Sequence, residues 1–316
     1  VTDLHGWTPI RVAVEDGRPA IDWCWTEGIT FDDPFFDQSV ERCLRDPYRL
    51  LFRKRTSIEV LGEWAQASPG LSPAGLILHM SRCGSTLVTQ MLCARGGVRV
   101  MAEPGPFDAL MRVPAPLADR AQWLRWLVSA LGQAGPGEQH LVLKLDAWAA
   151  LDLAVVKAAF PDTPRLFLFR EASEVLVSQS GHRGYHMING TLPPALVQLS
   201  AAEVMAMTPD AYGAAVLGAI VAAAVADIDD PAWLLVPYED LPAAVPDRIA
   251  AHFGLDVSPE QAVAMKAAGG RDAKNPVLEF SGDSERKRSA ATPEMLQECA
   301  VRVDPLVRRL RERVPR

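Results

Sequence analysis

Leu76-Ile77-Leu78-His79-Met80-Ser81-Arg82-Cys83-Gly84-Ser85-Thr86-Leu87 is the stretch on which the fold turns. An apolar run ends in a cluster of small residues, and residues 87–94 follow with helical spacing, so the pattern predicts a strand, a tight turn and a helix in succession. Such a turn exposes the unpaired backbone N–H groups that open the helix, which suits an anion. A nucleoside-triphosphate loop would need Gly at position 79 and Lys at position 85, where this chain has His79 and Ser85. The cation stands instead at Arg82, whose planar fork can grip two oxygens and stabilise charge on a leaving anion.

Outward from this stretch the same alternation repeats. Residues 98–102, 141–145, 166–169 and 233–236 are short apolar runs with strand character. Between them, residues 117–131 place Leu117, Ala121, Leu124, Val128 and Leu131 on one helical face, and residues 149–160 predict another helix. Strands alternating with helices imply an α/β protein whose central parallel sheet is flanked by helices on both faces. The loops after Met80, Ala102, Leu145 and Phe169 should then meet at the carboxyl edge of the sheet, where ligands bind in such folds.

Residues 1–70 stand apart as an N-terminal extension: 9–14 and 20–25 alternate around a Glu-Asp-Gly turn, predicting a hairpin, with helical segments after it and no assigned chemistry. Residues 71–316 form the main domain. The apolar run 211–226 ends at Asp227, Asp229 and Asp230 and is short for a membrane span, so it is expected to be a buried helix. The tail from about Ser258 holds a helix, a basic loop and a last Arg-rich helix (Arg308, Arg309, Arg311, Arg313), expected as a solvated face.

The bulk numbers exclude several function classes. With 316 residues, 49% of them hydrophobic and 22% charged, the chain has the profile of a globular protein with a sizeable core. A net charge of -7 supplies no general positive field for nucleic acid or an anionic membrane. The first 25 residues lack a basic segment followed by an apolar run, so no signal peptide and a cytoplasmic location are expected. Five irregularly spaced cysteines suggest reduced thiols rather than a disulfide framework or a zinc site.

Three segments in order carry a family resemblance. Ser81-Arg82-Cys83-Gly84-Ser85-Thr86-Leu87 resembles the 5′-phosphosulfate loop of sulfotransferases that use 3′-phosphoadenosine-5′-phosphosulfate (PAPS), in the Arg-containing form of carbohydrate and tyrosylprotein members. Pro164-Arg165-Leu166-Phe167-Leu168-Phe169-Arg170, with Ser178 eight positions beyond, resembles their 3′-phosphate segment. Val236-Pro237-Tyr238-Glu239-Asp240-Leu241 is similar to their Tyr-Glu-Asp-Leu segment. The resemblance spans roughly residues 75–290 and implies a P-loop-type sheet, PAPS as co-substrate, and an acceptor that is a small molecule or a carbohydrate; because a sulfuryl group carries less charge than a terminal phosphoryl group, Arg82 and backbone donors can replace magnesium, and no metal is expected. It also implies Arg82, Cys83, Gly84, Ser85 and Thr86 around the 5′-phosphosulfate, Arg170 and Ser178 on the 3′-phosphate, and Tyr238 near adenosine. The basic stretch with Arg271, Lys274, Arg286 and Lys287 stands where family members close the nucleotide site, but departs from the Arg-Lys-Gly form of cytosolic ones.

An attacking hydroxyl needs a general base within hydrogen-bond reach. Glu103, in Met101-Ala102-Glu103-Pro104-Gly105, resembles the base of Golgi-type members and is the first candidate. Asp146 stands where cytosolic members carry a catalytic His, and Lys144 matches their strand-end Lys, a donor to the sulfate or bridging oxygen unless it simply snorkels to solvent. His182 and His186 are candidates to line the acceptor pocket. A P-loop small-molecule phosphotransferase and a noncatalytic nucleotide-binding module are the alternatives the residues leave open.

Overall fold

The structure is a computed structural model, and it describes residues 2–271 and 283–314. Strands β1 (Trp7–Glu15), β2 (Arg18–Trp25) and β3 (Lys54–Ser57) form an antiparallel sheet in that order. The hairpin turn at Asp16 and Gly17 has both residues at positive φ, 49° and 78°, the conformation that matches the twist of a two-residue loop. β3 escapes sequence reading because Lys-Arg-Thr-Ser carries no apolar alternation. Side chains hold it instead: Arg55 donates to Asp22 Oδ1 at 2.6 Å, and Trp23 Nε1 to Thr56 Oγ1 at 2.9 Å.

The main sheet holds β4 (Pro73–His79), β5 (Val98–Ala102), β6 (His140–Lys144), β7 (Arg165–Phe169) and β8 (Trp233–Pro237), ordered β5-β6-β4-β7-β8, with every pair parallel. Cores such as Leu76-Ile77-Leu78 and Leu166-Phe167-Leu168-Phe169 are buried end to end, as strands covered on both faces must be. From β4 the chain steps to β5 in one direction, then returns through β6, β7 and β8 in the other. Right-handed crossovers therefore put the helix Ser85–Arg95 on one face, where Pro259–Gly269 packs on it, and Gly105–Met111, Leu117–Leu131, Leu153–Ala159 and Pro209–Ala226 on the opposite face. The reversal beside β4 opens a crevice at the carboxyl edge, the usual ligand position in such sheets.

Two helical readings need correction. The segment 149–160 is divided: a tight 3-10 stretch Ala147–Asp152 precedes the helix Leu153–Ala159. Arg112 takes the carbonyl of Trp148 and Arg120 the carboxylate of Asp152, so side chains fix the irregular start. Nor is the last Arg-rich helix, Asp304–Arg313, only a solvated face. Arg308 and Arg309 are exposed, but Arg311 pairs with Glu171 at 2.7 Å and with Glu239, joining the loop after β7 to the turn after β8.

Pro209–Ala226 is long and apolar enough by length and composition to cross a membrane, yet 61% of it is buried inside the protein. The N-terminal unit shares the contiguous core of the main sheet, with Ile21, Trp23, Phe36 and Leu61 in one cluster with Leu76 and Leu124. Gly62 permits the contact: a Cβ there would lie 2.9 Å from the Trp126 ring on helix Leu117–Leu131.

Candidate active site

Every strand of the parallel sheet ends at one cavity of about 420 Å³. Its lining includes His79 from the end of β4, Glu103 just past β5, Arg170 just past β7 and Tyr238 just past β8, and Lys144 at the end of β6 lies beneath it. Arg82 and Arg170, the two guanidinium groups the sequence singled out, line the same cavity, together with Gly84, Ser85, Thr86, Ser178 and Lys287.

The loop after β4 is tightly wound ahead of a helix, a geometry that can cradle an anion. Ser81, Arg82 and Gly84 all have positive φ, at 74°, 49° and 87°, ahead of the helix that starts at Ser85. Left-handed residues at a helix start turn successive N–H groups inward and add the positive end of the helix dipole. Two such conformations in non-glycine residues cost on the order of 1–3 kcal/mol each, and strain of this kind is retained at functional sites. At position 84 only glycine fits well, because a Cβ would also approach Leu241 Cδ1 to 2.6 Å. Gln179, missed in the sequence, secures the loop: its Nε2 donates to Ser81 Oγ at 2.9 Å while its Oε1 accepts from Gly184 N–H at 2.8 Å.

Arg170 is buried but heavily partnered. Its Nε donates to Glu174 Oε2 and its Nη2 to Asp283 Oδ1, both at 2.6 Å, and its guanidinium stacks 3.8 Å from the Tyr238 ring centroid. Asp283 also pairs with Lys287 Nζ at 2.7 Å. One carboxylate thus bridges the two cations expected to take a phosphate. Asp283 and Glu174 have no signature in short motifs, because they come from a tail segment and from a helix interior.

Glu103 sits at φ 54° on the opposite wall. Lys144 Nζ lies 2.8 Å and His79 Nε2 3.4 Å from its Oε1. Burial alone would push this carboxyl up, but the Lys144 ammonium and His79 outweigh burial and hold it well below the usual carboxylate range. His79 Nδ1 accepts the Ser81 N–H at 3.1 Å, so the neutral ring carries its proton on Nε2, facing Glu103. Lys144 does not snorkel to solvent: it is fully buried, 3.4 Å from Thr86 Oγ1 and 4.6 Å from the Phe35 ring centroid.

Some expected site residues lie elsewhere. The Cys83 thiol is buried, donates to Leu168 O at 3.2 Å and is pushed up to about 12 by burial, so it faces the core rather than the cavity. Asp146 does not line the cavity; burial and the nearby Glu103 and Asp108 carboxylates raise its pKa well above the ordinary value. Arg271 is exposed, and the Arg286 side chain is 82% exposed at the rim, 4.0 Å from Asp283, so of the basic stretch only Lys287 lines the cavity among the described residues. Lys274 lies outside the described residues. His182 and His186 both line the cavity, as does Phe35 from the N-terminal segment, to which the sequence reading assigned no chemistry.

No protein-family model matches the chain, and no curated protein matches it. Among solved structures it is similar to sulfotransferase STF9 from Mycobacterium avium (14% identity, 80% of each chain covered, TM-score 0.49). It is also similar to the sulfotransferase domain of the Synechococcus PCC 7002 olefin synthase (17% identity, 73% of this chain and 94% of that one, TM-score 0.42). A third similar structure is mouse sulfotransferase SULT7A1 complexed with PAP (14% identity, 82% and 96%, TM-score 0.43).

Proposed function

We propose that the chain is a PAPS-dependent sulfotransferase, moving a sulfuryl group to an acceptor hydroxyl or amine and releasing adenosine 3′,5′-bisphosphate. The observation that carries this reading is that Arg82 and Arg170 line one cavity, with the left-handed anion cradle at the first and a second anion position at the other. That the Asp283 carboxylate is held by both Arg170 and Lys287 supports an anion position there. Two separated anion sites suit a nucleotide phosphorylated at both ends of its ribose.

In this reading the cradle of residues 81–86 and Arg82 hold the 5′-phosphosulfate. Arg170, Ser178 and Lys287 hold the 3′-phosphate, and Tyr238 lies at the nucleoside. When bound, PAPS supplies the sulfuryl group, whose bond to the phosphate oxygen breaks as a bond to the acceptor oxygen or nitrogen forms. Glu103 receives the acceptor proton. Its depressed pKa makes it a weak base, so it accepts the proton late, once bonding to sulfur has made the attacking group acidic. Lys144 and His79 act through Glu103 as positioning residues, since both approach its Oε1. Asp146 does not line the cavity, which makes it the poorer candidate base.

The test is ligand choice followed by turnover. Adenosine 3′,5′-bisphosphate at a hundredfold excess over its Kd should stabilise the protein by about 2.7 kcal/mol in a thermal-shift assay, and labelled sulfate should pass from PAPS to acceptors in a metabolite extract. Stabilisation by ATP with magnesium alone would point to a phosphotransferase. Binding of the bisphosphate with no transfer to any acceptor would point to a noncatalytic module.

A further inference from the structure

Tyr48, Leu50, Leu51 and Phe52 form an apolar run that the fold leaves in water. The short helix Pro47–Leu51 buries none of its residues. Tyr48 and Leu51 are each 75% exposed, and Phe52 is 63% exposed. The Tyr48 and Phe52 rings stack at 5.5 Å, centroid to centroid, and Leu51 lies three positions after Tyr48 on the same turn, so the three present one apolar face. Polar contacts hold the helix in this orientation. Asp46 caps it by accepting from the Tyr48 N–H at 2.9 Å, and Arg49 donates to the Trp25 and Glu27 carbonyls at 3.1 Å each. Scattered exposed apolar side chains are ordinary, but a contiguous group held outward marks an interaction surface.

The charge around this face is opposite to that of the chain as a whole. The net charge is -7, yet residues 42–55 carry Arg42, Arg45, Arg49, Arg53, Lys54 and Arg55 against a single acid, Asp46. Arg42, Arg49 and Arg55 are paired with carboxylates. Arg45, Arg53 and Lys54 have no ion pair among the described residues, and Lys54 Nζ lies 4.1 Å from the Trp7 ring centroid. Aromatic and aliphatic side chains flanked by uncompensated cations suit the boundary between lipid headgroups and acyl chains. The apolar groups enter the boundary and the cations meet anionic headgroups.

Other occupants match these features less well. A symmetric second copy would set the uncompensated cations against their own counterparts. A nucleic acid would take the cations but leave Leu50 and Leu51 without a partner. A protein would need a groove shaped to three protruding side chains, whereas a fluid interface receives them without one.

We propose that Tyr48, Leu51 and Phe52, with Arg45, Arg53 and Lys54, dock the protein reversibly on an anionic lipid surface. None of these residues lines the cavity, so the inference stands apart from the sulfuryl-transfer reading.

The test is co-sedimentation of the full chain with vesicles of phosphatidylcholine alone, or with about one third phosphatidylserine; the anionic vesicles should bind at least about tenfold tighter. Raising the salt should weaken that binding, because the headgroup attraction is screened. Arg45→Gln and Arg53→Gln should each weaken it about fivefold, and Leu51→Ser with Phe52→Ser at least about tenfold. All of these positions are exposed, so the variants should keep the wild-type melting temperature. Equal binding to the two vesicles, or binding to neither, would overturn the proposal on the wild-type protein alone. Anionic binding that the substitutions leave unchanged would also overturn it. A concentration-dependent dimer broken by Leu51→Ser with Phe52→Ser, without vesicle binding, would give the face to a second copy instead.

Discussion

Glu103 and Asp146 follow the ends of neighbouring strands, and their surroundings drive them apart: Lys144 and His79 keep the first ionised, while burial and neighbouring carboxylates favour the proton on the second. Both stood out in the sequence as candidate bases because the stretches that hold them resemble those in which sulfotransferases carry theirs. Which one has its charge stabilised was not legible, because that depends on Lys144 turning inward beneath the cavity instead of snorkelling to water. Glu103→Gln is expected to lower sulfate transfer by at least about a hundredfold while leaving adenosine 3′,5′-bisphosphate affinity unchanged by calorimetry; equal activity would remove Glu103 as the base. For Asp146 the folded pKa is raised, so its stability contribution is full below the unfolded value of about 3.9 and is lost as pH rises through the folded value. Asp146→Asn should therefore match the wild type in melting temperature near the unfolded pKa and exceed it at neutral pH. A gap that stays constant with pH would count against the burial and carboxylate repulsion invoked here.

At the level of elements, the strands of the parallel sheet were legible because each is a largely apolar run, and their ends carried the polar residues that matter. The loop after β4 was equally readable from its small residues. What the sequence did not reveal is the short helix Ser284–Ser289 laid against helix Ala172–Gly181, with Arg288 paired to Glu174 at 3.0 Å and Asp283 to Arg170. That docking brings together charges more than a hundred residues apart, and no local motif encodes it. If Asp283 holds the place of a phosphate, Asp283→Asn should tighten adenosine 3′,5′-bisphosphate binding by about tenfold, because a competing charge-assisted bond is weakened. The 3′-dephospho analogue should gain much less. Arg170→Ala should do the reverse, weakening the bisphosphate far more than the analogue, and equal losses for the two ligands would refute the assignment of Arg170 to the 3′-phosphate.

Over the whole molecule, the sequence yielded the sheet and the position of the cavity but not the part played by the first seventy residues. The N-terminal sheet is built from a hairpin whose alternation is plain and an edge strand that has none, and the segment between the two brings Phe35 onto the cavity wall, near the Lys144 ammonium. A contact of this kind is worth about 0.5–2 kcal/mol, depending on how far the pair is desolvated. Phe35→Ala is accordingly expected to reduce turnover several-fold with little change in bisphosphate affinity, and a loss of bisphosphate binding as large as the loss of turnover would place Phe35 at the wrong end of the cavity. At the other end of the chain, Arg311 reaches Glu171 and Glu239 together. Like a staple through two adjacent sheets of paper, it ties the loop that carries Arg170 past β7 to the turn that carries Tyr238 past β8, so two neighbouring walls of the cavity share one clasp at the surface.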